Sequence, residues 1–151
     1  MEAAEHLRAF SSYFLCDLHV GQLQLDAFYA VLRDLKAGAI SDDEAMKRLD
    51  RSPYWVWTAM DPPSKLLVVV DVGSRTLAMA QRVVHQVTRV LAPGCVPLFL
   101  TDGLKDYAIA ILSHFGHWIH PERRQDKGPR PKPRWMPLPG LLMRRICVRS
   151  R

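Results

Sequence analysis

Polar and apolar residues alternate through Gln22-Leu23-Gln24-Leu25-Asp26-Ala27. A period of two predicts a strand with Leu23, Leu25 and Ala27 on one face and Gln22, Gln24 and Asp26 on the other, running on to about Leu32. Upstream, Leu7, Phe10 and Phe14 recur at helical spacing and predict a short amphipathic helix over 3–15. Ser41-Asp42-Asp43-Glu44 is a capping box, so a helix is expected from there to about Asp50, before Pro53. Residues 54–60 are aromatic and β-branched and predict a second strand. Asp61-Pro62-Pro63-Ser64 is turn chemistry, and 66–71 returns as a third strand to make a hairpin. Thr76 is placed to cap a helix through about Val90, whose apolar positions Leu77, Ala80, Val83, Val84, Val87 and Leu91 keep a 3.6 period. After Pro93-Gly94, residues 96–100 form a fully apolar run of the kind buried on both faces of a sheet. Thr101-Asp102-Gly103 ends it, 104–115 reads as the next helix, and 117–120 as a last short strand. Six prolines between Pro121 and Pro139 make that stretch extended or disordered.

The order is thus helix, strand, inserted helix, two strands, helix, strand, helix, strand. Early strands joined by hairpin-like connections, then a helical crossover to a buried strand, describe a mixed α/β sheet of the ribonuclease-H-like kind. Residues 1–120 are expected to be one core with a helical insert near 36–53, and 121–151 a Pro-rich basic tail without fixed structure. There is no internal repeat.

Composition changes this picture in one respect. The chain is 48% hydrophobic and 24% charged, ordinary for a globular protein, but its net charge is +6 and the charge is uneven. From Glu122 onward ten Lys and Arg stand against two acids, while the rest is near neutral. A basic tail suits a phosphate backbone, where neutralisation releases counterions; a solvated tail with no partner is the competing explanation. No apolar run approaches the roughly 18 residues of a membrane span, and no secretory signal is evident. Cys16, Cys95 and Cys147 are far apart and odd in number, without a Cys-x-x-Cys pair, which suits a reducing cytoplasm.

Two aspartates are candidates for chemistry. Asp26 lies inside a strand otherwise poor in charge, where a carboxylate costs desolvation unless it has a partner or a metal. Asp102 ends a buried strand, where open α/β sheets place their ligands, and Gly103 lets the backbone approach closely. If their strands are neighbours, the carboxylates converge and a divalent cation relieves their repulsion; all-oxygen ligation favours Mg²⁺ or Mn²⁺. The structural alternatives are an exposed strand position for Asp26 and a helix N-cap for Asp102. Asp61 and Asp71 also end strands and read as structural. His117 and His120 fall on opposite faces of a strand, which does not favour zinc. Trp55 and Trp57 share one strand face, as core packing or, less simply, as base-stacking groups.

Taken together, Leu25-Asp26-Ala27, residues 55–61, 71–76 and 98–103, and the Pro-rich segment 132–140 resemble the transposases of insertion sequences in the DDE superfamily. The likeness spans roughly residues 3 to 142 and rests on the combination, since no single piece is specific. It implies a five-stranded ribonuclease-H-like sheet flanked by helices, of strand order 3-2-1-4-5 and incomplete at its C-terminus. It implies that Asp26 and Asp102 hold Mg²⁺ or Mn²⁺ for phosphodiester cleavage and strand transfer, with DNA as partner and self-association in keeping. It also implies a prokaryotic cytoplasm at the nucleoid, with no membrane and no small-molecule substrate. Arg123, Arg124, Lys127, Arg130, Lys132 and Arg134 are the expected DNA contacts. The chain departs from the family pattern in that Ala27 stands where Glu is common and no acid occurs among residues 141–151, where a downstream Glu is expected. Residues 143–151 read as out-of-frame coding, and the N-terminus leaves no room for a helix-turn-helix. The expectation is a truncated DDE catalytic domain; the alternatives are an inactive remnant that binds nucleic acid or a partner through its basic tail, and a small structural protein.

Overall fold

A computed structural model of the chain describes residues 13–29, 54–122 and 131–146. Along them run strands β1 (Gln22–Tyr29), β2 (Trp55–Met60) and β3 (Leu67–Gly73), helix α1 (Leu77–Val90), strand β4 (Leu98–Thr101), helix α2 (Lys105–His114), and strands β5 (Gly116–Ile119), β6 (Arg134–Pro137) and β7 (Leu142–Arg145). Five strands form one mixed sheet in the order β3-β2-β1-β4-β7. β1 lies at its centre, antiparallel to β2 and parallel to β4. β7 is parallel to β4 at the edge. The protein is therefore α/β, with a five-stranded mixed sheet and its helices packed against it.

The period of two in β1 determines how the sheet is seated. Leu23 and Leu25 are fully buried and Ala27 nearly so, and their neighbours across β2, Ala59 and Trp57, are fully buried as well. Onto this face α1 lays Met79, Ala80, Val83, Val84 and Val87, and α2 adds Tyr107, Ala110 and Ile111. Burying one such aliphatic side chain is worth about 1.5–3 kcal/mol. A one-residue slip of β1 would turn Leu23 and Leu25 outward and Gln24 and Asp26 inward, so the register is strongly specified. Trp55 and Trp57 belong to this core, and the Trp57 ring meets Tyr107 edge-to-face at 5.4 Å.

Local chemistry accounts for the element ends. Pro97 has no N–H to offer a ladder, and β4 begins one residue later, at Leu98. Thr76 occupies the N-cap of α1 but makes no side-chain cap bond. Its hydroxyl sits 3.5 Å from that of Ser74, and its carbonyl accepts from the amides of Met79 and Ala80. The expected Thr76 side-chain cap is thus not made.

Two expectations about the last third of the chain need correcting. The strand expected over 117–120 does not enter the main sheet; β5 pairs antiparallel with β6 in a separate two-stranded ribbon. The place beside β4 goes to β7, from the segment expected to lack structure. The prolines explain how a Pro-rich stretch carries strands: Pro133 and Pro139 lie outside β6 and Pro137 is its last residue, so none interrupts a ladder. Arg144 and Arg145 suit β7 to an exposed edge, where charge discourages pairing with another chain.

The capping-box helix over 41–50, most of the helix over 3–15, and Cys147 lie outside the described residues. Cys16 and Cys95 are free thiols. Among the described residues no helix is long and apolar enough to cross a membrane.

Candidate functional site

Asp26 and Asp102 are brought together by the parallel pairing of β1 and β4. The register runs Gln22↔Leu98 to Leu25↔Thr101. Carried one residue on, it sets Asp26 beside Asp102 at the C-terminal end of β4. Leu25 and Thr101 are both buried on the helix-covered side, so the pleat turns Asp26 to the opposite face, while Asp102 is the first residue after β4. Both carboxylates are half-buried.

The Tyr107 hydroxyl on α2 is buried without a hydrogen-bond partner. Burial first, then the negative charges of Asp102 and Asp26, push its pKa well above the ordinary tyrosine value, against a smaller opposing effect of Arg75.

Each aspartate uses one oxygen locally. Asp26 Oδ1 accepts from the Ala27 amide at 2.8 Å. Asp102 Oδ1 accepts from the Leu104 amide at 2.8 Å and closes the turn into α2. That helix has Leu104 at its N-cap and no side-chain cap bond. Asp102 therefore does part of the work expected of a cap, from two residues before it. Its Oδ2 faces Arg75 Nη2 at 3.8 Å, an open ion pair with both side chains partly in solvent. Arg75 is held from below by the Trp55 ring, with its guanidinium carbon 4.4 Å from the ring centroid.

Gly103 answers to a spatial need. Its φ of +93° lies in the left-handed region, and a Cβ built there would come within 2.7 Å of Arg145 Cδ. Arg145 is the register partner of Thr101, so the end of β7 lays a second arginine against the turn that carries Asp102.

Asp61 and Asp71 do not join this site. Asp61 is buried and accepts from the amide and hydroxyl of Ser64, closing the Pro62-Pro63 turn. Asp71 accepts from Arg82 Nε at 2.6 Å, from a second Arg82 nitrogen, from Gln86 Nε2 at 2.7 Å and from the Val72 amide at 2.8 Å, tying β3 to α1. Burial pushes the Asp71 carboxyl up, but these bonds and the Arg82 charge hold it below its ordinary value.

The pair suits a hard cation as two oxygen ligands. Asp26 Oδ2 makes no hydrogen bond among the described residues, while Asp102 Oδ2 is shared with Arg75, which an ion would have to displace. Among the described residues no three His, Cys, Asp or Glu gather into a group that could hold a metal. Of the expected DNA contacts, Lys132 and Arg134 are exposed beside and within β6. Arg123, Arg124, Lys127 and Arg130 lie outside the described residues.

The sequence reading missed Tyr107, Arg75 and Arg145. Tyr107, Ala110 and Ile111 do share one helix face by spacing, which marks Tyr107 as buried; only the packing leaves its hydroxyl without a partner. Comparison with known proteins gives no matching family model, no matching characterised protein and no matching solved structure.

Proposed function

We propose that this chain is a DDE-type transposase catalytic domain of the ribonuclease-H-like kind, related to enzymes that cleave and join DNA phosphodiesters with Mg²⁺ or Mn²⁺. The observation that carries the reading is the side-by-side setting of Asp26 and Asp102 on neighbouring parallel strands, given by the β1–β4 register. The sheet order, with the third and fourth strands in sequence on opposite sides of the first two, accords with it. So does the likeness of residues 25–27, 55–61, 71–76 and 98–103 to that family.

In this reading Asp26 and Asp102 each offer one carboxylate oxygen to a divalent cation, and Arg75 keeps Asp102 neutralised until an ion displaces it. When bound, such an ion supplies Lewis-acid polarisation of a phosphate oxygen. Tyr107 stays neutral in the core beneath the sheet. The exposed Lys132 and Arg134 meet the DNA backbone.

A second reading, a domain that binds nucleic acid without cutting it, is favoured by one observation: no third acid joins the pair among the described residues. A two-ion clamp on the attacking and leaving oxygens needs more carboxylate than two side chains provide. The two readings agree that the pair binds an ion and differ on turnover.

Titration with Mn²⁺ followed by electron paramagnetic resonance tests the shared step. One weak site is expected in the native chain, lost in both Asp26→Asn and Asp102→Asn. Unchanged Mn²⁺ uptake in both variants would return the aspartates to unrelated polar positions. A strand-transfer assay in the same buffers separates the readings. Product abolished by Asp102→Ala is the outcome of the first reading, and no product while Mn²⁺ still binds is the outcome of the second.

A further inference from the structure

The β5–β6 ribbon leaves two tryptophans in solvent. Trp118 and Trp135 are register partners across it, with centroids 5.5 Å apart at 71°. Trp118 is 60% exposed and Trp135 37%, in contrast to the buried Trp55 and Trp57. They belong to a shallow groove of about 510 Å³ whose other wall is the outer side of α2: Ile109, Leu112 and Ser113. Trp135 Nε1 donates to the Leu112 carbonyl at 2.7 Å, which anchors the ribbon to the helix. Gly116 permits this approach, because a Cβ there would come within 2.7 Å of the Trp135 ring and the Met136 carbonyl.

We infer that this groove is a stacking site for the bases of single-stranded nucleic acid, with Lys132 and Arg134 meeting the phosphates beside it. An exposed indole presents a π-face that any base can cover, and the free energy gained does not depend on base identity. The walls are almost wholly apolar, and Ser113 already spends its hydroxyl on the Ala110 carbonyl, so there is little to read a base edge. The site is therefore sequence-indifferent. A duplex keeps its base faces stacked inside and offers nothing to the indoles. Charge selects this occupant over a peptide. Lys132 and Arg134 precede Trp135 within three residues, both exposed, in a chain of net charge +6. An apolar or Pro-rich peptide would gain nothing from them, whereas a polyanion gains counterion release.

The inference rests on the ribbon and not on Asp26 and Asp102, so its failure leaves the carboxylate site untouched, and loss of Mn²⁺ binding there leaves the ribbon untouched. The test is quenching of tryptophan fluorescence in the full chain by a thymine oligonucleotide, against a duplex of equal length. Trp55 and Trp57 are shielded, so the quenched emission reports Trp118 and Trp135. The expected result is tighter binding of the single strand, weakened roughly five- to a hundredfold in Trp118→Leu and largely restored in Trp118→Phe. Trp118 is the more exposed member of the pair, and circular dichroism checks that its variants keep the fold. Equal affinity for duplex and single strand, or a single-strand affinity unmoved by Trp118→Leu, would leave only backbone electrostatics and overturn the inference. Self-association in sedimentation that disappears in Trp118→Leu, without single-strand binding, would make a second copy the occupant and overturn it too. Binding of a Pro-rich peptide in preference to the oligonucleotide would do the same.

Discussion

At the scale of single residues, the structure separates aspartates that the sequence presents alike. Asp71 is a fastening between β3 and α1, and its carboxyl is held below the ordinary value against the pull of burial. A depressed folded value means that its contribution is present above the unfolded carboxylate pKa and is lost as pH falls through the lower folded value. Asp71→Asn is expected to lower neutral-pH stability by about 1–2 kcal/mol, the range for a hydrogen-bonded charge with an exposed partner, and to weaken the acid dependence of urea unfolding. Tyr107 is the opposite case. Its hydroxyl is buried, unpartnered and held neutral by burial and by Asp102 and Asp26. The raised folded pKa leaves its contribution whole below about pH 10, where the unfolded phenol begins to ionise, and stability declines above that. Tyr107→Phe removes a desolvated hydroxyl that no protein group satisfies. Stability at pH 7 is expected to hold or to rise by about 1 kcal/mol, with a shallower alkaline decline in urea titrations. A loss above that size would mean that the hydroxyl has a hydrogen-bond partner in solution.

At the scale of elements, the turn from β4 into α2 is where backbone and side-chain demands meet. Gly103 takes a left-handed φ and also makes room for Arg145 from β7. Gly103→Ala brings both penalties together, the conformational one being about 1 kcal/mol. The expected total is about 1–3 kcal/mol, read from thermal or urea unfolding. In an Arg145→Ala background the cost should fall to the backbone part, and a double-mutant cycle isolates the difference. An equal cost in both backgrounds would show that β7 does not bear on this turn. The ends of β4 follow from local chemistry, since Pro97 and Gly103 bracket it. β5 and β7 could not be assigned in that way. Both are four-residue segments next to turn residues, and nothing in their periodicity says which joins the sheet.

At the scale of the whole molecule, the governing feature is the uneven placement of charge along the chain. Ten of the 21 Lys and Arg lie beyond Glu122. Weak, sequence-indifferent binding to random duplex DNA is expected, falling steeply between two salt concentrations. Replacing Arg123, Arg124, Lys127, Arg130, Lys132 and Arg134 with Gln should remove most of that binding and flatten the salt dependence, as measured by fluorescence anisotropy. Duplex binding by the substituted chain equal to that of the native one would dismiss this region as the contact. This backbone binding and the base stacking at Trp118 and Trp135 are separable, because the first follows charge and the second follows exposed indole area.

What the chain determines by itself is what depends on near neighbours in sequence. The alternation of Gln22 to Ala27 settles which face of β1 is buried, because one face must leave water and only one is apolar. The 3.6 period over Leu77 to Leu91 does the same for α1, and Asp61-Pro62-Pro63-Ser64 dictates its turn through fixed φ and a side-chain acceptor. The candidate carboxylates Asp26 and Asp102 were legible for the same local reason, a charge within or at the end of an apolar strand. Their adjacency is a property of the β1–β4 pairing, across 76 residues of sequence. The arginines around Asp102 come from the β3–α1 connection and from β7, and the Tyr107 hydroxyl is buried through helix packing. Such contacts depend on which distant strand takes which edge. That choice is settled by the burial and hydrogen bonding of the whole sheet at once, and no local pattern records it.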